Sequence, residues 1–170
     1  REGMKRVLNI HILDDEPKFG KILSRVLERE GHTVRAFAVP EEALEAMAIE
    51  PPELLLTDLK MPTMSGLEVM RRAREISPDL DVIMMTAYAT VETAIQAMKQ
   101  GALDYLIKPF PNEELVMVVA RVAETRALRE ENRLLRQTVR RRFRPESIVA
   151  VSPVMRDLMR RVEKVAPSDV

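Results

Sequence analysis

The sequence predicts an α/β fold, a doubly wound five-stranded parallel sheet followed by a long C-terminal helix. Three observations carry that expectation. Short apolar runs alternate with segments of helical periodicity five times between Val7 and Arg142. Most of the runs are apolar on consecutive residues, as strands covered on both faces are. Four of the five end in polar residues suited to chemistry: Asp14-Asp15, Asp58, Thr86 and Lys108.

The elements follow in order. Val7 to Leu13 is the first strand, ended by the acid pair. Phe19, Ile22, Leu23, Val26 and Leu27 recur at helical spacing, and Gly31 stands where a helix C-cap belongs. Thr33 to Phe37 is the second strand. Pro40 to Ile49 is a helix opened by Pro and two Glu, residues that suit a first turn. Leu54 to Thr57 is the third strand, ending at Asp58. Leu67 to Arg74 is the third helix, after the Ser65-Gly66 turn. Val82 to Met85 leads to Thr86, and Thr90 to Gln100 is a helix closed by Gly101. Leu103 to Ile107 ends at Lys108-Pro109. Asn112 then opens a helix with no internal Gly or Pro through Arg142.

Right-handed crossovers between parallel strands put all the strand ends on one edge, and sites of such sheets lie beyond the carboxyl ends. Asp14, Asp15, Asp58, Thr86 and Lys108 are therefore expected to converge. Crowded carboxylates repel, and a hard divalent cation removes the conflict. Mg²⁺ takes oxygen ligands and keeps several waters. Asp15 and Asp58 can ligate it, with Asp14 acting directly or through water. A fixed carboxylate beside Mg²⁺ is a competent nucleophile toward phosphorus. Lys108 and the Thr86 hydroxyl can neutralise charge on the transferred group. An acid pair after a strand also reads as a helix-capping loop, and Tyr105 alone as core packing. The ordered set of polar residues at strand ends is what favours a site. His11 and His32 lack ligand partners at metal spacing and read as structural. Of the methionines, Met61, Met64 and Met98 suit an adaptable surface.

Lys+Arg and Asp+Glu are both 27, yet residues 121–144 hold nine Arg against three Glu, so a basic segment follows an acidic one. The longest apolar run, Leu115 to Ala120, is far short of the roughly 20 residues a membrane span needs. No cysteine is present, which suits a reducing cytoplasm, the expected location. Arg1-Glu2-Gly3 ahead of Met4 reads as a non-native lead-in.

Leu13-Asp14-Asp15-Glu16, Thr57-Asp58-Leu59-Lys60-Met61-Pro62 with Gly66, Met85-Thr86-Ala87 and Asp104-Tyr105-Leu106-Ile107-Lys108-Pro109-Phe110 resemble the receiver domains of two-component response regulators. The resemblance covers residues 4–126. It implies the flavodoxin-like strand order 2-1-3-4-5. It implies that Asp58 accepts a phosphoryl group from a histidine kinase, and that the backbone carbonyl of Lys60 joins Asp14, Asp15 and Asp58 around Mg²⁺. It also implies that Thr86 and Tyr105 form a switch pair, and that the Lys108–Pro109 bond is cis.

Residues 127–144 are expected to be a helical, coiled-coil linker. Val118, Thr125, Asn132 and Val139 share one heptad position, and Leu128 and Leu135 its companion, as in a homodimer seam with a polar Asn inside it. The Arg140-Arg141-Arg142 run with Arg144 reads as a solvated helix end before a nucleic-acid contact. Beyond Pro145, Glu146 to Met155 resembles the entry to the AAA+ ATPase domain of σ54-dependent, NtrC-like activators, with Ala150 where the family has Gly. Residues 145–170 are thus expected to be a stub of that domain. Met155, Leu158, Met159 and Val162 lie on one helical face, and no phosphate-binding Gly-rich loop follows before Val170.

The reading is a regulatory phospho-acceptor, not an ATPase. The resemblance implies a partner kinase and, in a longer protein, an AAA+ oligomer, σ54 RNA polymerase and DNA. The rival is a small Mg²⁺-dependent phosphohydrolase with an aspartyl nucleophile. Such enzymes place an acid/base Asp two residues after the nucleophile, where this chain has Lys60.

Overall fold

The structure is a computed structural model that describes residues 6–142 together with 157, 158, 160 and 161. It falls into two compact units, Arg1–Arg126 and Ala127–Val170. The first holds β1 (Asn9–Leu13), α1 (Pro17–Arg29), β2 (Thr33–Phe37), α2 (Pro40–Ile49), β3 (Leu54–Asp58), α3 (Gly66–Ile76), β4 (Asp81–Thr86), α4 (Val91–Lys99) and β5 (Asp104–Ile107). Helix α5 (Asn112–Arg142) begins in the first unit and ends in the second. The sheet is wholly parallel, in the order β2-β1-β3-β4-β5.

Every residue of β3 and β4 is buried. These central strands have helices on both faces, so both sides of the pleat are apolar. Strand β2 departs from that pattern: Thr33, Arg35 and Ala36 are exposed. Among the described residues it is an edge strand paired only to β1, and a charged side chain there discourages further pairing.

One core layer joins β1, β3 and β4 to Leu23 and Leu27 of α1 and to Leu115, Val118, Val119, Val122 and Ala123 of α5. The other joins the opposite faces to Ala43 and Met47 of α2, Val69, Met70 and Ala73 of α3, and Ala97 of α4. Gly31 and Gly101 follow α1 and α4 with φ of 92° and 96°, the left-handed turn that glycine adopts without a Cβ penalty. Arg74 of α3 donates to the carbonyls of Gln100 and Gly101, so a guanidinium covers the C-terminal end of α4.

Val118 does not belong to an intermolecular seam. Only 6% exposed, it packs in its own unit's core. The 3.6 period of α5 turns it inward with Leu115, Val119 and Val122, and any seam starts further on. Arg126 holds this part of α5 to the amino ends of two central strands. Its Nε pairs with Asp81 Oδ2 at 2.7 Å, and Nη2 donates to the carbonyls of Glu53 and Asp79. In the second unit Leu128, Leu135 and Val139 are 60%, 59% and 54% exposed. Of the proposed 145–170 stub, Asp157, Leu158, Arg160 and Arg161 are helical and exposed, while Met155, Met159 and Val162 lie outside the described residues. No helix among the described residues is long and apolar enough to cross a membrane.

His32 Nδ1 accepts the Leu8 N–H at 3.2 Å and serves the fold. His11 is fully buried, its ring 5.0 Å from that of Phe37, and neither ring nitrogen has a hydrogen-bond partner among the described residues. Burial, and secondarily the charge of Arg35, lower its pKa to about 4 from the usual 6.5. The unfolded chain therefore binds the proton more readily than the fold does between those two values. Stability from the neutral imidazole is complete above pH 6.5 and falls as pH drops toward 4. Lowering the pH from about 7 to about 5 should cost roughly 2 kcal/mol through this group. Urea denaturation at both pH values should show that loss in the parent and a clearly smaller one in His11→Leu.

Candidate functional site

The carboxyl ends of β1, β3, β4 and β5 bring the chemistry together. Asp14 directly follows β1, Asp58 and Thr86 are the last residues of β3 and β4, and Lys108 directly follows β5. Asp14 is buried, and its Oδ1 accepts the Glu16 N–H at 2.9 Å. That bond shapes the loop into α1, so the capping reading of the acid pair is true of this oxygen. Oδ2 remains for the site, where Lys108 Nζ approaches it at 2.5 Å. The same ammonium lies 3.2 Å from Asp58 Oδ2 and 4.4 Å from the centroid of the Phe19 ring.

Local backbone geometry holds these groups. The Lys108 N–H donates to the Thr86 carbonyl at 2.8 Å, which carries the β4–β5 pairing one residue past β5, and the Lys108–Pro109 bond is cis. The Leu59 N–H donates to Met85 O at 2.8 Å, and the Gly66 N–H to Leu59 O at 2.9 Å. Gly66 comes so near that a Cβ there would stand 2.2 Å from the Asp58 carbonyl oxygen. The N-terminus of α3 therefore closes on the Asp58 backbone only because residue 66 is glycine.

Burial raises the Asp58 pKa, the Lys108 charge opposes this, and the Asp14 charge adds to it; the net direction is upward. Burial alone would lower the Lys108 pKa, but its hydrogen bonds and charge interactions with Asp14 and Asp58 outweigh that and raise it. Carboxylate crowding and ammonium pairing are thus both at work.

Carboxylate oxygens of Asp14, Asp15 and Asp58 lie within 4.8 Å of one another, two of the residues buried and Asp15 exposed. An all-oxygen set with one side open to water fits a hard divalent cation such as Mg²⁺. Lys60, expected in the metal shell through its carbonyl, donates its N–H to Asp58 Oδ1 at 3.3 Å, and its ammonium lies 5.0 Å from the Tyr88 ring centroid.

Thr86 is fully buried, and its Oγ1 accepts the Tyr88 N–H at 3.1 Å. A hydroxyl used as an acceptor keeps a proton to donate. Tyr105 is half-buried, with its hydroxyl 3.1 Å from Thr93 Oγ1. Thr93 also completes a reciprocal cap with Thr90 at the start of α4. Asp14, Asp58 and Lys108 are thus in direct contact, whereas the described contacts join Thr86 to Tyr88 and Tyr105 to Thr93. Leu128, Asn132 and Leu135 are exposed on the later part of α5.

Sequence reasoning missed Phe19 beneath Lys108, Thr93 as the partner of Tyr105, and the closeness of Gly66 to Asp58. The Thr90/Thr93 spacing marks a helix start and could have pointed to Thr93. Nothing local marks the other two, which arise from contacts across the fold.

The family model for the response regulator receiver domain matches residues 10–120. The C4-dicarboxylate transport transcriptional regulatory protein DctD of Rhizobium meliloti is 32% identical over 167 residues, covering 98% of this chain and 36% of that protein. Regulatory protein AtoC of Escherichia coli is 34% identical over 165 residues, covering 97% of this chain and 36% of that one. The chain thus spans about a third of the length of these curated relatives. Among solved structures, NtrX from Brucella abortus superposes with a TM-score of 0.72 at 29% identity, covering 95% of this chain and 35% of that one. A response regulator receiver domain protein from Methanospirillum hungatei gives 0.69 at 28% identity, covering 72% and 98%.

Gly66→Ala should force β3 and the α3 N-terminus apart. Mg²⁺ affinity, followed by calorimetric titration, should fall on the order of tenfold, with a lowered Tm. Unchanged affinity would mean that the α3 approach does not set the Asp58 position.

Proposed function

Because the chain belongs to the response-regulator receiver family, we propose that Asp58 is its phospho-acceptor and that residues 4–126 work as a phosphorylation-controlled switch. The observation that carries the reading is Lys108 bridging Asp14 and Asp58 within a cluster of three carboxylates. Asp14, Asp15, Asp58 and the Lys60 carbonyl would hold Mg²⁺. When bound, the ion would neutralise carboxylate and phosphoryl charge.

The chain's own groups do the rest. An Asp58 carboxylate oxygen attacks phosphorus, the new P–O bond forms, and the donor's bond to phosphorus breaks. With a histidine kinase the leaving group is its imidazole. Lys108 loses its pairing with Asp58 Oδ2 as that carboxylate becomes an acyl phosphate, and turns to a phosphoryl oxygen. The Thr86 hydroxyl donates its free proton to another. That bond draws Thr86 away from the Tyr88 N–H and so disturbs the loop into α4, whose first turn holds Thr93 against Tyr105. Thr86 and Tyr105 are in this sense the switch pair.

The rival phosphohydrolase lacks its second Asp, since residue 60 is Lys, and the family match does not favour it. The proposed role is therefore regulatory. Residues 127–144 would be a dimer linker with Leu128, Asn132 and Leu135 in its seam, joined by Thr125 and Val139 and without Val118. Residues 145–170 would begin an AAA+ ATPase domain. The longer form would be cytoplasmic, assemble an AAA+ oligomer and meet σ54 RNA polymerase and DNA; the relatives, named as regulatory, transcriptional or DNA-binding proteins, support the regulatory role and the DNA contact.

With Mg²⁺ and a small acyl phosphate, the chain should gain one acid-stable, base-labile phosphoryl group. Asp58→Asn should abolish it; label persisting in that variant would place the nucleophile elsewhere. Lys108→Ala should keep Mg²⁺ binding but lose the phosphorylation-dependent shift of the Tyr105 ring resonances. Collapse of Mg²⁺ affinity with a persisting shift would reverse the assigned role.

A further inference from the structure

The ammonium of Lys108 has contacts of two kinds. Its Nζ lies 2.5 Å from Asp14 Oδ2 and 3.2 Å from Asp58 Oδ2, and it also stands 4.4 Å from the centroid of the Phe19 ring. Within about 6 Å an aromatic face attracts a cation through its quadrupole, and more strongly where water is kept away. The Lys108 side chain is 15% exposed, so that condition is largely met.

The ring is held by the segments that carry the acids and the ammonium. Phe19 lies in the first turn of α1, half-buried and packed against the core layer of β1, β3, β4 and α5. Its N–H donates to the Glu16 carbonyl at 3.1 Å, and the Glu16 N–H donates to Asp14 Oδ1 at 2.9 Å. Asp14 thus receives Lys108 on one oxygen and, with the other, fixes the turn that carries Phe19. The Phe110 ring, two residues after Lys108, meets Phe19 at 69° with centroids 5.9 Å apart. Edge-to-face pairs of this kind are a favoured aromatic geometry.

Carboxylate and ring hold a cation differently. A hydrogen bond to a carboxylate is short and directional. Attraction to a ring face has no lone pair to align with, and the cation can slide across it at small cost. Phosphorylation turns Asp58 into an acyl phosphate and removes one carboxylate partner of Lys108. Asp14, the closer of the two acids, would by itself draw the ammonium toward β1. The ring is a neutral seat that persists through the change and yields to a charged phosphoryl oxygen.

We propose that Phe19 is a positioning residue for phosphoryl transfer: its ring face supports the Lys108 ammonium as that ammonium passes from Asp58 Oδ2 to a phosphoryl oxygen. The role rests on the reading of Asp58 as phospho-acceptor and adds to it a residue of α1 that acts through Lys108.

If packing were the whole role, the ring would merely cover the methylene stem of Lys108. Fluorination separates the two roles, because it withdraws negative charge from the ring face while the ring keeps its shape and apolar character. Phenylalanine analogues bearing one, two or three ring fluorines, placed at residue 19, should slow Asp58 labelling by a small acyl phosphate in steps. At saturating Mg²⁺ the loss should reach about fivefold for the trifluoro ring. Phe19→Leu should slow labelling likewise. Mg²⁺ affinity should stay within about twofold of the parent, since the ring supplies no oxygen ligand. In Mg²⁺-free protein the Lys108 ε-methylene resonance, assigned with Lys108→Arg, should lie upfield of its ordinary position because it sits over the ring. It should return there in Phe19→Leu. A resonance that does not move in that variant would overturn the contact. A fluorinated series that keeps the parent rate, with the parent labelled on Asp58, would overturn the role alone. A fall in Mg²⁺ affinity as large as the fall in rate would overturn it too, since the ring would then be shaping the carboxylates. If the parent takes no label, the phospho-acceptor reading falls and this role with it, while the shifted resonance remains.

Discussion

The ammonium of Lys108 lies between two carboxylates that the sheet forces together, Asp14 at the end of β1 and Asp58 at the end of β3. Without it or a cation in its stead the two acids would repel, and one would tend to hold a proton, because like charges at such separations raise one pKa. Several features of the fold maintain this arrangement. The Thr86 carbonyl holds the Lys108 backbone, the Phe19 ring underlies its side chain, and Gly66 allows α3 to close on Asp58. Partly desolvated ion pairs of this kind contribute little net stability. Their presence is better explained by what they prepare, a cation-rich setting for a transferred anion.

Helix α5 serves two masters along one axis. Leu115, Val118, Val119, Val122 and Ala123 follow the 3.6-residue period and pack against the sheet. From Leu128 onward, Leu128, Leu135 and Val139 follow a 3.5-residue spacing and are exposed. Arg126 marks the change. Its contacts with Asp81 and with the carbonyls of Glu53 and Asp79 fasten the last turn of the first unit to the amino ends of β3 and β4. Those strands carry Asp58 and Thr86 at their other ends. The β3–β4 pair and the last turn of α5 in the first unit are therefore linked by one guanidinium.

Helix α4 is the most lightly held of the helices on its face. Ala97 is its only fully buried residue, whereas α2 and α3 each bury four. Its ends are tied by polar contacts instead: the Thr90–Thr93 cap and the Tyr105 hydroxyl at one, Arg74 at the other. Polar ties can be exchanged without opening a core, and elements with few buried contacts are those that move at small cost. Its loop also leads directly from Thr86, the hydroxyl nearest the chemistry on β4.

The fold class, the five strands and the residues at their ends were legible in the sequence because periodicity is a local signal. Strand and helix limits shifted by a residue or two, as ladder pairing decides ends. Parallel crossovers have one hand, so Asp14, Asp58, Thr86 and Lys108 had to share an edge once the strands were known. Heptad spacing was equally legible, but it could not say where along α5 the helix stops facing its own sheet. Val118 fits the heptad and the core period alike, and only burial against Leu115 and Val122 separates them. The Phe19 contact with Lys108, the Thr93 contact with Tyr105, the Arg126 clamp and the Gly66 approach join residues far apart in sequence or depend on angles between elements. Such contacts leave no periodic trace, because they arise only after the layers have packed and set the distances between them.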